Sequence, residues 1–162
     1  MLIVVNEDDE EIGYEDELKC HEGDGILHRA FTILIFAGDR LILQERSGQK
    51  RLWPEFWETS CSGHPRAGEE MVDSSMSRLE CELGFRTQLE DIGRFLYRER
   101  YQNIGTEYEL CHVLRGEYAG GLSPNPQEVA KVRYVKLDLL LREIKEKRNR
   151  FAPWLEKALA FL

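Results

Sequence analysis

The first part of the chain alternates short apolar runs with turn-forming residues. Positions 2–5 are a β-branched run that leads through an acidic turn into Ile12-Gly13, and this pattern predicts a hairpin. Positions 31–36 and 41–43 are rich in strand-forming residues and flank the turn-prone pair Gly38-Asp39, so they predict a second hairpin.

A longer period replaces this alternation in the middle of the chain. Apolar side chains recur near helical spacing over positions 69–83, and Gly84 follows as a stop signal, so this segment is predicted to be a helix. Positions 93–101 and 107–115 are predicted to be strands, separated by the turn Asn103-Ile104-Gly105.

The last part of the chain predicts one more strand and two helices. The strand covers positions 131–137, and Asp138 is the expected N-cap of a helix that runs to Lys147. Pro153 begins the final predicted helix. The apolar side chains of this helix are Trp154, Leu155, Ala158 and Leu162. Strands and helices are mixed without β-α-β alternation, which predicts an α+β layer fold.

Charged residues are distributed unevenly over this pattern. The acids of positions 7–17 are expected to be solvated, and Arg29 is expected to point outward or to pair. A net charge of −8 and a pI near 5.1 disfavour a nucleic-acid partner, because phosphate recognition needs a dominant basic face. A small anion remains compatible with the local cluster of Arg46, Lys50 and Arg51.

Length and cysteine usage narrow the class of protein. A chain of 162 residues with 42% apolar content fits one domain over positions 1–162. Its four cysteines form no CxxC pair, and no secretion signal precedes the domain, so a cytoplasmic protein with reduced thiols is expected. The longest apolar run, positions 31–37, is too short to cross a bilayer.

Three histidines and two glutamates are candidate ligands for one metal ion. His21 and His28 flank a glycine-bearing loop that can fold back and bring both imidazoles to one point. Glu107 and Glu109 are two apart on a predicted strand, so both carboxylates project from the same face. His64 is the fifth candidate. Such a set suits Mn²⁺ or Zn²⁺ better than Ca²⁺, although each residue taken alone is more typical of a surface or hydrogen-bonded histidine or of a solvated glutamate.

A second group of residues predicts a site for Mg²⁺ and phosphate. Glu82 and Arg78 are four apart on the predicted helix, where the Glu82 carboxylate can hold Mg²⁺ or simply form an exposed ion pair with Arg78. Arg46 and Lys50 lie around the turn after a strand, where cations can hold a diphosphate. Trp154 can either place its ring against a developing cation or fill the core.

The order of these residues resembles the type 1 isopentenyl-diphosphate isomerases, a divergent branch of the Nudix superfamily, over nearly the whole chain. Single matches such as a Glu-x-Glu are commonplace, but their shared order is specific. The matching motifs are Cys20-His21, Leu27-His28-Arg29-Ala30-Phe31, Arg46 with Lys50 and Trp53-Pro54, Ser62-Gly63-His64-Pro65, Glu82-Leu83-Gly84, Tyr97-Arg98, Glu107-Tyr108-Glu109 and Pro153-Trp154.

The resemblance implies a Nudix-like fold, in which helices sandwich mixed β-sheets, and an activity. It implies interconversion of isopentenyl diphosphate and dimethylallyl diphosphate through a carbocation, with a prenyl diphosphate as the small-molecule partner. Glu109 and Tyr97 would handle one proton, position 62 the other, and Trp154 would shelter the cation. Mg²⁺ on Glu82, with the cations of Arg46, Lys50 and Arg78, would anchor the diphosphate.

Ser62 departs from the family pattern, which has a catalytic cysteine at this position. A serine hydroxyl is a much weaker acid and base than a thiol, so isomerisation by Ser62, by a water or by a shifted Cys61 is one hypothesis. A Nudix-type diphosphate hydrolase is a second, although Ser77, Arg78 and Cys81 stand where hydrolases carry Arg, Glu and Glu. The third hypothesis is a prenyl-diphosphate binder without catalytic activity.

Overall fold

Nine strands and four helices make up the fold. The computed structural model describes all residues from Met1 to Leu162. The strands are β1 (Leu2–Val5), β2 (Glu11–Glu15), β3 (His28–Ala37), β4 (Arg40–Arg46), β5 (Trp57–Glu58), β6 (Cys61–Gly63), β7 (Glu90–Tyr101), β8 (Gly105–Glu117) and β9 (Val129–Lys136). The helices are α1 (Glu17–Cys20), α2 (Met71–Leu83), α3 (Leu137–Glu146) and α4 (Pro153–Leu159).

Strand β3 organises one connected, mixed sheet. It pairs antiparallel with β1, β4 and β6, and parallel with β8. The parallel register runs from His28 opposite Glu109 to Phe36 opposite Glu117. Strand β8 continues into an antiparallel pair with β7, and β9 pairs antiparallel with β4. A nearly continuous apolar strand such as β3 is typical of a position that is covered on both faces.

The helices cover the two faces of this sheet. Leu34 points to a buried cluster that includes Ile144 from α3 and Leu155 from α4. Its neighbours Ile33 and Ile35 belong to a second cluster, which contains Leu79 and Leu83 of α2. Full burial of such side chains contributes about 1.5–3 kcal/mol each. The predicted α+β class, with helices on both sides of a mixed sheet, is confirmed.

The predicted middle helix is confirmed with a later start. Helix α2 begins at Met71, after Glu70 as N-cap, while Glu69 lies outside it and accepts hydrogen bonds from Arg66 N and Ser74 Oγ. Gly84 ends the helix with φ +81°, a left-handed conformation that favours glycine. A Cβ atom at Gly84 would lie 2.7 Å from Ser123 Cβ, so this position has no room for a side chain.

Two details of the C-terminal prediction are wrong. Asp138 is not an N-cap, because β9 pairs with β4 up to Lys136 and the chain enters α3 directly at Leu137. Asp138 lies in the first turn, where its negative charge complements the helix dipole. Helix α4 ends at Leu159 and leaves Leu162 outside, since Phe161 turns back to pack on Phe95.

Most of the acids at positions 7–17 are exposed as predicted, and Asp9 is the main exception. Asp9 is shielded from water, with a side chain only 12% exposed, because Arg29 donates to it from the neighbouring strand. Arg29 therefore pairs, which was one of its two expected states. The short elements α1, β5 and β6 were not separately predicted. None of the four helices has the length and apolar character to cross a membrane.

Candidate active site

Five side chains from distant parts of the chain meet at one end of β3 and β8. His28 begins β3 and lies opposite Glu109 in the parallel register, and Glu107 is two positions away on the same face of β8. His21 follows α1, and His64 follows β6. One ligand atom from each of the five lies within 4.8 Å of all the others. The structure thus brings together all five residues predicted to be ligands of one ion.

The loop that carries His21 is held in place by local hydrogen bonds. Asp16 caps α1 by accepting from Leu18 N at 2.9 Å. The His21 carbonyl then accepts from Thr106 N at 2.9 Å, which ties the loop to β8. This close approach depends on Gly105, where a Cβ atom would lie 2.6 Å from the same carbonyl oxygen. The His21 imidazole is therefore positioned by contacts on both sides of it.

Backbone carbonyls fix which nitrogen of two histidines faces the cluster. His21 Nδ1 lies 2.6 Å from Glu17 O and His28 Nδ1 lies 2.7 Å from Ile26 O. A carbonyl oxygen only accepts, so each Nδ1 carries a proton and each Nε2 faces the cluster, where it offers a lone pair whenever the imidazole is neutral. This arrangement is typical of metal-binding histidines, whose second nitrogen donates to a backbone group.

Several buried polar atoms of the cluster have no hydrogen-bond partner. They are His21 Nε2, His28 Nε2 and Glu107 Oε2. His21 Nε2 and Glu107 Oε2 are 2.9 Å apart, but their orientation does not make a hydrogen bond. Unpaired buried polar groups cost about 1–3 kcal/mol each, so they need a compensating partner. Three imidazoles and two carboxylates would hold a divalent transition-metal ion well.

Proximity of unlike charges shifts the ionisation of the cluster. Burial disfavours the charged form of His21, but the Glu107 carboxylate outweighs burial and raises the His21 pKa to about 9. Burial also works against ionised Glu109, yet His28 and His64 hold its pKa well below its usual range. For His64, burial dominates and lowers the pKa. Glu109 is therefore ionised near neutral pH.

Tyr97 is hydrogen-bonded to the same carboxylate. Its hydroxyl donates to Glu109 Oε2 at 2.6 Å, while His64 Nε2 lies 2.8 Å from Glu109 Oε1. Burial and the charge of Glu109 raise the pKa of Tyr97 well above its ordinary value. Tyr97 therefore keeps its proton next to an ionised carboxylate, and both groups line the same cavity.

Trp154 and Arg46 are joined by a carboxylate that sequence reasoning missed. Trp154 Nε1 donates to Glu58 Oε2 at 2.9 Å, and Arg46 Nη1 donates to Glu58 Oε1 at 2.8 Å. The Arg46 guanidinium also lies 5.2 Å from the centroid of the Trp154 ring. Glu58 is one of two acids in the aromatic-rich stretch 53–58, and no spacing rule links it to Trp154, 96 positions away.

The other predicted phosphate-binding residues form an ion-pair network. Lys50 and Arg78 both contact the carboxylate of Glu128, which sequence reasoning also missed. Arg78 additionally pairs with Glu82 at 2.7 Å, and Gln44 donates to the second oxygen of Glu82 at 2.7 Å. Glu82 is buried and is not part of the five-residue cluster. Its carboxylate is already engaged at both oxygens.

Ser62 and Cys61 point to opposite sides of β6. Ser62 Oγ lies 2.9 Å from Thr32 Oγ1 and 3.1 Å from Thr59 Oγ1. Cys61 is fully buried in the apolar cluster beneath α2, and burial raises the pKa of its thiol well above the ordinary value. Strand β6 pairs with β3 without a bulge, so the hypothesis of a shifted Cys61 in place of the missing thiol is wrong.

One cavity of about 740 Å³ connects these groups. Its size fits a small-molecule site. The lining includes members of the five-residue cluster with Ser62, Tyr97, Trp154, Arg46, Lys50 and Arg78. Cys111 also lines it, a thiol that the sequence could have indicated because it lies two residues after Glu109 on the same face of β8.

The acids of α2 do not form a second cluster. Glu80 is exposed and pairs with Arg86 at 2.9 Å, while Glu82 is buried against Arg78. A Nudix hydrolase needs several carboxylates of this helix to hold Mg²⁺ together. The candidate ligands here lie instead on β3, β8 and the segments after α1 and β6, which does not support the hydrolase hypothesis.

Comparison with known proteins assigns the chain to a family. Positions 26–155 match the NUDIX domain. The isopentenyl-diphosphate delta-isomerase of Haloarcula marismortui is 39% identical, with 98% of this chain and 88% of that protein covered. The enzyme of the same name from Burkholderia multivorans is 35% identical, with 94% and 87% covered.

Solved structures show the same fold at low identity. A Deinococcus radiodurans protein superposes with a TM-score of 0.79 at 16% identity, covering 98% of this chain and 96% of that one. The MutT protein of Methanosarcina mazei gives 0.69 at 14% identity, covering 83% and 91%. The fold and the relatives agree, and the chain belongs to the isopentenyl-diphosphate delta-isomerase family within the Nudix proteins.

Proposed function

We propose that this protein interconverts isopentenyl diphosphate and dimethylallyl diphosphate. The observation that carries the proposal is the Tyr97–Glu109 hydrogen bond inside the five-residue cluster, in the same cavity as the cations of Lys50 and Arg78. A ligand whose anionic end contacts these cations would then lie in the cavity that Glu109 and Tyr97 line, which supports their role in proton transfer. The family membership supports the same activity.

The reaction needs one proton added and one removed on different carbons. Addition to the terminal methylene carbon of the alkene leaves a tertiary carbocation, and loss of a proton from the neighbouring methylene forms the new double bond. Glu109 with Tyr97 handles one of these protons. Ser62, on the segment next to His64, handles the other directly or through a water held by its hydroxyl.

The intermediate cation needs protection from water and from nucleophiles. Trp154 lines the cavity and is held by Glu58 and Arg46, so its ring is fixed. An aromatic face stabilises a nearby cation by about 0.5–2 kcal/mol, more when both are desolvated. Trp154 thus stabilises the intermediate without reacting with it.

Two kinds of divalent ion fit the proposal. Mn²⁺ or Zn²⁺ suits the five-residue cluster, because imidazole and carboxylate are ligands that borderline ions prefer. A bound ion there would keep the imidazoles neutral and stabilise the negative charge of Glu109. Mg²⁺ would accompany the diphosphate at Glu82, where the carboxylate has to exchange its present contact with Arg78. Arg46, Lys50 and Arg78 would anchor the diphosphate.

Deuterium incorporation tests the activity directly. Enzyme incubated with isopentenyl diphosphate, Mg²⁺ and Mn²⁺ in heavy water is expected to give dimethylallyl diphosphate that carries deuterium, detected by mass spectrometry. The reverse reaction provides the matched measurement. Absence of both product and deuterium, with phosphate release in its place, would support a hydrolase. Tight binding without any turnover would support a binder, and either result would overturn the proposal.

A further inference from the structure

Glu128 is a carboxylate that the proposed reaction does not use, yet it touches two of the residues that would hold the substrate. Its Oε2 atom contacts Lys50 Nζ and lies 2.8 Å from Arg78 Nη2. A single oxygen between an ammonium and a guanidinium group has the surroundings that a phosphoryl oxygen requires. Glu128 therefore occupies, within the protein, the place of an anionic ligand.

The backbone keeps Glu128 next to these cations. Glu128 O accepts from Ser47 N at 3.0 Å, and Glu128 N donates to Asn125 O at 3.0 Å. Ser47 belongs to the same turn as Lys50, so the carboxylate and the ammonium group are tied to one short region. The Glu128 side chain is 24% exposed, so it has room to leave Lys50 and Arg78, which line the cavity.

Charge balance gives this contact a consequence for binding. Lys50 and Arg78 contribute two positive charges, while Glu82 and Glu128 contribute two negative ones. The four side chains are neutral together, so an incoming diphosphate meets no net attraction from them. Once Glu128 is displaced, Lys50 is released and Arg78 stays anchored to Glu82 at 2.7 Å.

We propose that Glu128 is an internal competitor that sets the affinity of the cavity for diphosphates. This inference rests on the proposed function, because it assumes that Lys50 and Arg78 bind the substrate's diphosphate. Ligand binding requires a phosphoryl group to replace the Glu128 carboxylate at Lys50 and Arg78. The smaller the fraction of protein in which these cations are free, the lower the apparent affinity for the ligand. Such a competitor weakens the binding of any anion to these two cations, so it also aids release of product.

The test measures binding of inorganic diphosphate by titration calorimetry at 0.15 M salt. Glu128→Gln is expected to bind the anion about tenfold more tightly than wild type, because the amide no longer neutralises Lys50 and Arg78. Glu80→Gln is the matched control, because it also removes one negative charge, in this case from α2. Glu80 pairs with Arg86 and not with Lys50 or Arg78. The control is expected to change affinity by less than about twofold, because exposed charges are screened.

The outcomes separate this inference from the proposed function. Unchanged or weaker binding by Glu128→Gln, or an equal gain in Glu80→Gln, would overturn the competitor role. Failure of wild type to bind inorganic diphosphate, with Lys50→Ala no different, would instead remove the diphosphate site. If Glu128→Gln does not fold, Glu128→Asp replaces it, because the shorter carboxylate cannot contact Lys50 and Arg78 together. Glu128→Asp is expected to bind inorganic diphosphate about threefold more tightly than wild type, and no gain in affinity would overturn the competitor role.

Discussion

Two histidine–carboxylate clusters lie on different faces of this sheet, and their charges are balanced in different ways. Around Asp9, each charged side chain of the cluster has an ion-pair partner within the protein. His112 contacts Asp91 at 2.6 Å and Asp9 at 2.9 Å through its two nitrogens, and Arg29 and Arg94 donate to Asp9 at 2.8 and 2.9 Å. Around Glu109, no arginine takes part and three buried polar atoms lack a hydrogen-bond partner.

The difference shows that residue types alone do not make a metal site. Arginines neutralise the carboxylates of the Asp9 cluster, so this cluster clamps the turn between β1 and β2 to β3, β7 and β8. The Glu109 cluster instead directs ring nitrogens and carboxylate oxygens at one point, an arrangement that a metal ion could complete. A change in the first cluster should therefore affect stability, and a change in the second should affect activity and metal binding.

The largest expected effect is on activity. Glu109→Gln removes the proton acceptor beside Tyr97 and one candidate ligand, so isomerase activity should fall by about 10²–10⁴-fold. Its unfolding midpoint without metal should fall, because the folded protein stabilises ionised Glu109 through His28 and His64 and the amide loses that contribution. Product formation and thermal unfolding measured on one preparation check both parts. A folded variant with more than a tenth of wild-type activity would contradict the role of Glu109.

Ser62→Cys is expected to raise the isomerase activity. A thiol is a better acid and base than the hydroxyl held between Thr32 and Thr59, so activity should rise by about 10²-fold. Ser62→Ala is the control that separates proton transfer by the side chain from simple space filling. If cysteine and alanine variants have equal activity, position 62 does not transfer the proton.

Metal addition distinguishes the two clusters directly. Mn²⁺ or Zn²⁺ at a concentration one hundred times its dissociation constant should raise the free energy of unfolding of wild type by about 2.7 kcal/mol. A chelator should reverse this increase. His28→Asn should lose this stabilisation, because His28 Nε2 faces the Glu109 cluster. His112→Asn should retain it despite a lower starting stability. Thermal unfolding with and without metal measures all three proteins, and equal loss in both variants would refute the distinction.

Asp9→Asn should produce the smallest effect, and only on stability. Burial alone would raise the Asp9 pKa, but Arg29 and His112 outweigh it and lower the pKa from its ordinary 3.8. The stabilising contribution is therefore present above pH 3.8 and is lost as the pH falls through the lower, folded-state pKa.

Urea unfolding measures this contribution. At pH 7 Asp9→Asn should cost about 2 kcal/mol, less than a fully buried ion pair, and the gap to wild type should narrow below pH 3.8. Asp8→Asn removes the same charge from the same turn and should cost less than about 0.5 kcal/mol. A difference from wild type that stays constant down to pH 2 would show that Asp9 acts by packing and not by charge.

Local sequence patterns predicted most of the secondary structure. Apolar runs over β1, β3 and β4, helical spacing in α2 and the stop at Gly84 all depend on neighbouring residues, so they can be recognised in the sequence. Boundaries were less accurate where pairing decided them. Strand β9 ends at Lys136, the last residue paired with β4 and one before its predicted end, so α3 starts at Leu137 and Asp138 lies inside the helix.

The candidate ligands were identified from motif order and from the two-residue spacing of Glu107 and Glu109. Spacing could place those two carboxylates on one face, since side chains alternate along a strand. It could not bring His28 next to them, because that contact depends on the parallel pairing of β3 with β8. The resemblance to a family supplied what the spacing lacked.

The sequence by itself determined the strands and helices, the family and the residues able to bind an ion. Tertiary structure alone decided which charged groups meet. Asp9 was expected to be solvated and is clamped by Arg29, and Glu128 reaches Lys50 across 78 positions of the chain. The helical and strand periods of a sequence relate residues that are only a few positions apart. Ion pairing and burial depend on the order of the strands in the sheet, and no local sequence pattern encodes that order.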